Sequence, residues 1–308
     1  MNIAIIGAGI NGLYLSLKLA ENGHKVAVLE KNSEIGNKVC SGLFSRRILK
    51  FIPESEKLIK NKINYALLRF PKKTTRINFS KEFLVMNHSE LDKLVAAMAR
   101  NRGVDIILNK AVEEIPFGFD KIIGCDGANS VVRQKLKLKT PKLRLGIQGF
   151  VIEKAEENFV ETWPTKNGFL WRIPRGEKIE YGIIEEVLSA KKIFGDFLNK
   201  NKIKVENIGA KLIPQGPIIP LNSLITLCGD AAGLTKPWSG GGVVWGLKAA
   251  DMLVESFPDF LAYRNKALKF FNFKCTIGKL ATKSGVFIGF NAPYLLPKNI
   301  TIESDFLF

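Results

Sequence analysis

Glycines at positions 7, 9 and 12 follow an apolar run, residues 3–6, and precede a helix-like stretch, residues 13–21. This G-x-G-x-x-G spacing is suited to holding phosphate. Gly7 permits a tight turn, Gly9 lets the backbone approach a pyrophosphate, and Gly12 lets the helix pack close against the strand. Ala8 and Asn11 complete the turn, whose free N–H groups sit at the positive end of the helix. A second apolar run, residues 25–29, ends in Glu30, about 20 residues into the unit, where an acidic side chain accepts a hydrogen bond from a ribose hydroxyl. The pattern predicts dinucleotide binding without saying which dinucleotide.

Other residues add chemistry at greater separation. Asp230 follows an apolar strand, residues 224–228, and stands among small residues that let a backbone pass close by. Its carboxylate either accepts a hydrogen bond from a ribityl hydroxyl or caps the next turn. Gly240, Gly241 and Gly242 open a helix predicted to run through residue 255. Its positive end suits the negative charge that reduction places on a flavin pyrimidine, although the glycines also serve close packing. Cys40 lies after Lys38 and before two small residues. It is either a reactive thiol, its thiolate favoured by the ammonium, or a small buried hydrophobe. Cys125, Cys228 and Cys275 lie in apolar contexts and read as core. Phe169, Trp171 and Ile173 share one face at strand period, which either walls an apolar tunnel or belongs to the sheet core.

These residues need elements to hold them. A βαβ opening is followed by a helix over residues 87–102, with apolar positions at 91, 94, 95 and 98 and Asn87 or Ser89 as cap. Strands are expected at 104–108 and 120–124, with a short one at 111–112 between them. From about residue 143 to 184 the period changes to strand alternation, which predicts an antiparallel sheet. The fold class is α/β, a Rossmann-type nucleotide domain with an interleaved antiparallel-sheet substrate domain. The expected division is 1–70, 87–142 and 214–257 for the first, 71–86 and 143–213 for the second, and 258–308 for a C-terminal helical segment and tail.

At 308 residues and 46% hydrophobic content the chain has enough apolar material for a sizeable core. The expectation is a cytoplasmic protein without a cleavable leader or spanning helix, peripheral to a membrane. Four cysteines and two histidines show neither metal-ligand spacing nor a disulfide framework, so no metal is expected. The formal net charge is +17, with basic residues and no acids over 69–81, 133–144 and 264–283. Without a nucleic-acid-binding motif, no nucleic acid is expected; an anionic membrane face fits the charge better, the alternative being a lysine-rich solvated surface. The basic aromatic stretch 260–280 is either a membrane-surface helix or a packing helix with snorkelling lysines. The tail 286–308, broken by Pro293 and Pro297, is expected to cover a substrate mouth or insert shallowly.

Three motifs together resemble the p-hydroxybenzoate hydroxylase superfamily of FAD enzymes. They are Gly7-Ala-Gly9-x-x-Gly12, Asp126-Gly127-Ala-Asn-Ser130-x-x-Arg133, and Gly229-Asp230-Ala-Ala-Gly-x-x-x-Pro237-x-x-Gly240-Gly241-Gly242. Within it, Lys38-Val-Cys40-Ser41-Gly42 and Phe169-x-Trp171-x-Ile173-Pro174 are similar to the cysteine loop and Tyr-x-Trp-x-Phe-Pro motif of the geranylgeranyl reductases, which include archaeal digeranylgeranylglycerophospholipid reductases. The resemblance implies FAD as cofactor, with Asp126 and Gly127 against its pyrophosphate, Val112 lending backbone to adenine, and Cys40 facing flavin or substrate. It implies reduction of isoprenoid double bonds on a prenyl lipid, with NADPH or a ferredoxin-type carrier as electron donor. Phe169 and Ile173 depart from the motif, no second glycine follows Gly182, His88 replaces a usual arginine, and the chain ends early, before a portion that helps enclose the lipid. An FAD-dependent aromatic monooxygenase and a non-catalytic flavin electron-transfer protein are the competing expectations.

Overall fold

The computed structural model describes residues 1–36 and 39–303. In chain order the elements begin β1 (Asn2–Ile6), α1 (Ile10–Glu21), β2 (Lys25–Leu29), β3 (Leu43–Ser45), α2 (Ile48–Phe51), β4 (Ile59–Phe70), β5 (Lys73–Met86) and α3 (His88–Asn101). They continue with β6 (Asp105–Ile107), β7 (Lys121–Gly124), α4 (Val131–Lys135), β8 (Lys142–Val151), β9 (Phe159–Pro164), β10 (Phe169–Pro174) and β11 (Ile179–Glu186). The last are α5 (Ala190–Lys200), β12 (Glu206–Gln215), β13 (Ile225–Leu227), α6 (Val243–Ser256), α7 (Phe260–Asn291) and β14 (Asn299–Ile302). Two compact units result: Met1–Lys38, His88–Lys142 and Pro214–Thr276 in the first, Val39–Asn87, Leu143–Ile213 and Ile277–Phe308 in the second.

The first unit is built on a five-stranded sheet of order β13-β7-β1-β2-β6, parallel at each pairing. Near-continuous apolar strands explain it: Ile3, Ala4, Ile5, Val28, Ile123 and Leu227 are wholly buried, as a sheet covered on both faces requires. Helix α1 packs against α3 and α6. Trp245 of α6 meets Phe271 of α7 at 5.2 Å between ring centroids, and Tyr263 of α7 donates its hydroxyl to the carbonyl of Leu227. The buried positions Phe260, Tyr263, Ala267, Phe271 and Cys275 repeat at three- and four-residue steps, so the first half of α7 is a packing helix.

The second unit contains a nine-stranded sheet of order β12-β8-β11-β10-β9-β4-β5-β14, with β3 also paired to β5. Most of its pairings are antiparallel, but β4 with β9 and β5 with β14 are parallel, a mixture that alternation alone does not reveal. On one face, Ile173 packs with Ile63, Ala66, Val85 and Val160. Another cluster joins Leu170, Ile147 and Ile183 with Ala190 and Phe194 of α5. A strand's alternation sends Leu170 and Ile173 to these separate clusters.

Several expectations require correction. Residues 39–70 belong to the second unit, because β4 forms a long hairpin with β5 and also pairs with β9. Residues 260–276 belong to the first, through the packing of α7 just described. No strand forms at 111–112: Asn109 takes a left-handed φ of 54°, and the N–H groups of Asn109 and Lys110 donate to the carbonyls of Asn32 and Glu30 in a loop. Within the tail, α7 continues to Asn291 and β14 adds a parallel strand to β5.

Candidate functional site

In the first unit, Gly7 has φ of 103°, and a Cβ there would lie 2.6 Å from the carbonyl oxygen of Cys125. A Cβ on Gly12 would lie 2.1 Å from the carbonyl oxygen of Gly7. Both glycines are therefore demanded by close backbone approach. Helix α1 starts after Gly9 with no side-chain cap and no acidic residue in its first turn, leaving its positive end open to an anion. Glu30 is buried at the end of β2; its carboxylate accepts from the N–H of Ala8 at 2.7 Å and from the backbone and side-chain nitrogens of Asn32 at 3.0 and 2.6 Å. That carboxylate thus ties the second strand to the glycine turn.

The other two motifs meet the first. Asp126 follows β7, and one of its carboxylate oxygens accepts from the N–H groups of Val131 and Val132 at 2.7 and 3.2 Å. It orders the start of α4, with Ser130 accepting from the N–H of Arg133 as cap. Arg133 is buried and donates to the carbonyls of Ala231 and Ala128, joining the second motif to the third. Burial lowers its pKa, and Asp126 opposes that shift. Gly127 takes φ of 81°. Asn11 lies against Gly229 and Gly246, where added Cβ atoms would each come within 2.3 Å of its amide, so the first and third motifs touch through a side chain.

Asp230 opens the short helical turn Gly229–Ala232, and a Cβ on Gly242 would lie 2.7 Å from its carboxylate. The loop between is closed by N–H donation from Gly240 to Lys236 and from Lys236 to Gly241. The Gln215 side chain donates to the carbonyls of Lys236 and Pro237. Gly242 then caps α6 without a side-chain bond. The buried oxygens Asn11 Oδ1 and Asp126 Oδ1 have no hydrogen-bond partner. With two helix starts lacking side-chain caps, they give the unit the donor and acceptor set that a dinucleotide cofactor uses.

The remaining predicted residues fall as follows. His88 begins α3, its Nε2 3.2 Å from the buried carboxylate of Asp92, a partner the motif comparison did not suggest. Val112 is half-buried in the loop after β6. Lys38 lies outside the described residues.

Cys40, Phe169, Trp171 and Ile173 lie in the second unit. Cys40 is half-buried, and its Sγ accepts from the N–H of Gly42 at 3.5 Å. Ile173 is core, whereas Phe169 and Trp171 are half-buried, with ring centroids 5.9 Å apart. Trp171 donates its indole N–H to Glu180 at 2.9 Å and lies so close to Gly182 that a Cβ there would come within 2.3 Å of the ring. Gly182 therefore makes room for the indole. Sequence reasoning missed Glu180 and its partner Arg175. The alternation placed Glu180 on a strand without marking an acidic side chain that turns inward.

The FAD dependent oxidoreductase family matches residues 2–70. Relatives named digeranylgeranylglycerophospholipid reductase match from Methanococcus vannielii, 26% identical over 79% of this chain and 73% of the relative, and from Methanocaldococcus jannaschii, 25% identical over 79% and 73%. A geranylgeranyl bacteriochlorophyll reductase-like structure from Thermoplasma acidophilum superposes with a TM-score of 0.77 at 18% identity, covering 96% of this chain and 88% of that one. The protein is an FAD-dependent oxidoreductase. It is similar to the geranylgeranyl reductases. A flavin-dependent brominase with a TM-score of 0.76 at 13% identity, covering 94% of this chain and 89% of that one, shows that this oxidoreductase shares its fold with halogenases too.

Proposed function

We propose that the oxidoreductase saturates isoprenoid C=C bonds on the geranylgeranyl chains of a lipid or lipid precursor. The supporting observation is the extent of the match to relatives named for that activity. It runs over 79% of the chain, more than the nucleotide-binding unit alone supplies, and therefore enters the sheet that carries Cys40 and Trp171.

Gly7, Ala8, Gly9, Asn11 and Gly12 would hold the FAD pyrophosphate with the start of α1. Glu30 keeps Ala8 oriented and offers its remaining lone pairs to a ribose. Asp126 and Gly127 shape the turn beside the pyrophosphate, Val112 presents backbone to adenine, and the His88–Asp92 pair stands at the start of α3. Asp230 would accept a hydrogen bond from a ribityl hydroxyl, and the loop from Pro237 to Gly242, with the start of α6, would hold the flavin. FAD, when bound and reduced, would supply the hydride equivalent needed at one alkene carbon, with NADPH or a ferredoxin-type carrier as the source of electrons. Cys40, or a water near it, would deliver the proton required at the other carbon, the thiol then being reprotonated from solvent. Phe169 and Trp171 offer apolar surface to the prenyl chain.

The test is mass spectrometry of a geranylgeranyl phospholipid precursor incubated anaerobically with the FAD-loaded protein and dithionite. Mass gains in steps of H2 are expected. A flavin-loaded protein that leaves the mass unchanged, yet oxidises NADPH rapidly with an aromatic compound present, overturns the reading in favour of a monooxygenase. Cys40→Ala retains FAD and loses alkene reduction; unchanged turnover removes Cys40 from the chemistry.

A further inference from the structure

The segment Cys40–Gly42 has no regular structure, yet the second unit fixes its backbone at successive carbonyls. The carbonyl of Cys40 accepts from the Gln148 side chain at 3.3 Å, that of Ser41 accepts from Arg175 Nη1 at 2.5 Å, and that of Gly42 accepts from the Met86 N–H at 2.9 Å. Arg175 Nη2 also donates to the carbonyl of Met86 at 3.0 Å. The guanidinium thus spans the cysteine segment and the end of β5. Gly42, at φ of 61°, leaves the space it needs: a Cβ there would lie 2.7 and 3.0 Å from the two guanidinium nitrogens and 2.1 Å from the carbonyl oxygen of Met86.

Arg175 is itself held. Its side chain is 9% exposed and pairs at 2.6 Å with Glu180, which is wholly buried. The other Glu180 oxygen accepts the Trp171 indole N–H. The N–H of Arg175 donates to the carbonyl of Lys178, closing the turn between β10 and β11. A buried arginine with a fork of donors, matched by a carboxylate and two carbonyls, is a rigid fixture rather than a mobile surface charge. It is costly to assemble unless every partner is present. The N–H of Gly42 that points at Cys40 Sγ belongs to the same segment that the guanidinium holds through Ser41.

We propose that Arg175 is a positioning residue for Cys40, its fork, set by Glu180 and Trp171, locking the Cys40–Ser41–Gly42 turn so that the thiol is presented in one geometry. This rests on the assignment of Cys40 to the reaction. The aromatic motif and the cysteine loop then act as one device: Trp171 sets Glu180, Glu180 sets Arg175, and Arg175 sets the turn. Lysine cannot replace Arg175, because a single ammonium does not reproduce a planar fork shared among Ser41, Met86 and Glu180.

The test uses the full-length FAD-loaded protein and three variants: Arg175→Lys, Arg175→Met with Glu180→Gln, and Cys40→Ala. The paired substitution avoids leaving an isolated buried carboxylate, and Arg175→Lys keeps a charge should the pair fail to fold. Cys40 alkylation by iodoacetamide is followed by peptide mass spectrometry across pH, beside bound FAD and the kcat and KM of alkene reduction. Expected for the Arg175 variants are full FAD content, a Cys40 alkylation profile displaced along pH, and kcat reduced about tenfold with KM little changed, the scale on which misplacement of a reacting group acts. Folded Arg175 variants with the wild-type alkylation profile overturn the proposal. The failures are separable: Cys40→Ala with full activity sinks the role of Cys40 in turnover, while the alkylation profile still decides whether Arg175 positions the thiol.

Discussion

Gly7 shows how much one missing carbon decides. Its positive φ and its closeness to Cys125 leave no place for a methyl group, so Gly7→Ala is expected to yield protein without FAD, read as loss of the flavin absorbance bands from the purified chain. Retained stoichiometric FAD contradicts the cradle. Glu180 carries a pH signature. Burial pushes its carboxyl above its ordinary 4.5, against the pull of Arg175, Trp171 and Lys178. A proton held more tightly in the folded state contributes stability that is full below the unfolded pKa and is lost as pH rises through the folded one. Urea unfolding of wild type and Glu180→Gln should show the stability of wild type relative to the variant falling as pH is raised from about 4 towards neutrality; a pH-independent difference refutes it. Gly7 was legible because its constraint is local, written in three glycines and a strand. Glu180 was not, because a buried acid on an alternating strand looks like any solvated one until Arg175 and Trp171 are folded against it.

Helices and strands were legible where one period persisted. The runs behind β1, β2, β7 and β13 are buried parallel strands and were predicted within a residue or two. The strand at 111–112 failed because two apolar residues cannot outweigh loop bonds made to residues 30–32. Helix α7 was predicted only through residue 280, since the glycines and polar residues beyond that point blur its period, yet it runs to Asn291. Its neighbours Phe271 and Phe273 separate packing from composition: Phe271 is wholly buried against Trp245, while Phe273 is 64% exposed. Phe271→Ala should cost about 3–5 kcal/mol in urea unfolding, and Phe273→Ala no more than about 0.5 kcal/mol. Equal effects contradict the helix's orientation.

For the molecule as a whole, charge and exposed apolar surface coincide near the C-terminal region. Leu280, Phe287, Tyr294 and Leu295 are each more than 60% exposed, and residues 260–302 contain lysines and an arginine but no acid. No helix among the described residues is long and apolar enough to cross a membrane. Peripheral docking on anionic lipid is the contact that this basic and apolar surface predicts. Co-sedimentation with anionic vesicles should fall steeply between about 0.1 and 1 M salt, as the screening length shortens from about 10 to 3 Å. Phe287→Ser with Tyr294→Ser should weaken it further at low salt, and absent or salt-insensitive binding overturns the idea. The sequence announced this charge but not its neighbours, because exposure is a property of the folded surface.

Strand β14 has a consequence of another kind. The outer edge of β5 is shared by two short pieces distant in the sequence, β3 beside residues 83–85 and β14 beside residues 76–79. Together they occupy backbone groups that a bare edge would offer to any passing strand. The segment bearing β14 thus acts as a guard against self-association, and a version shortened before it would be expected to clump through β5 even with every cofactor-binding residue intact.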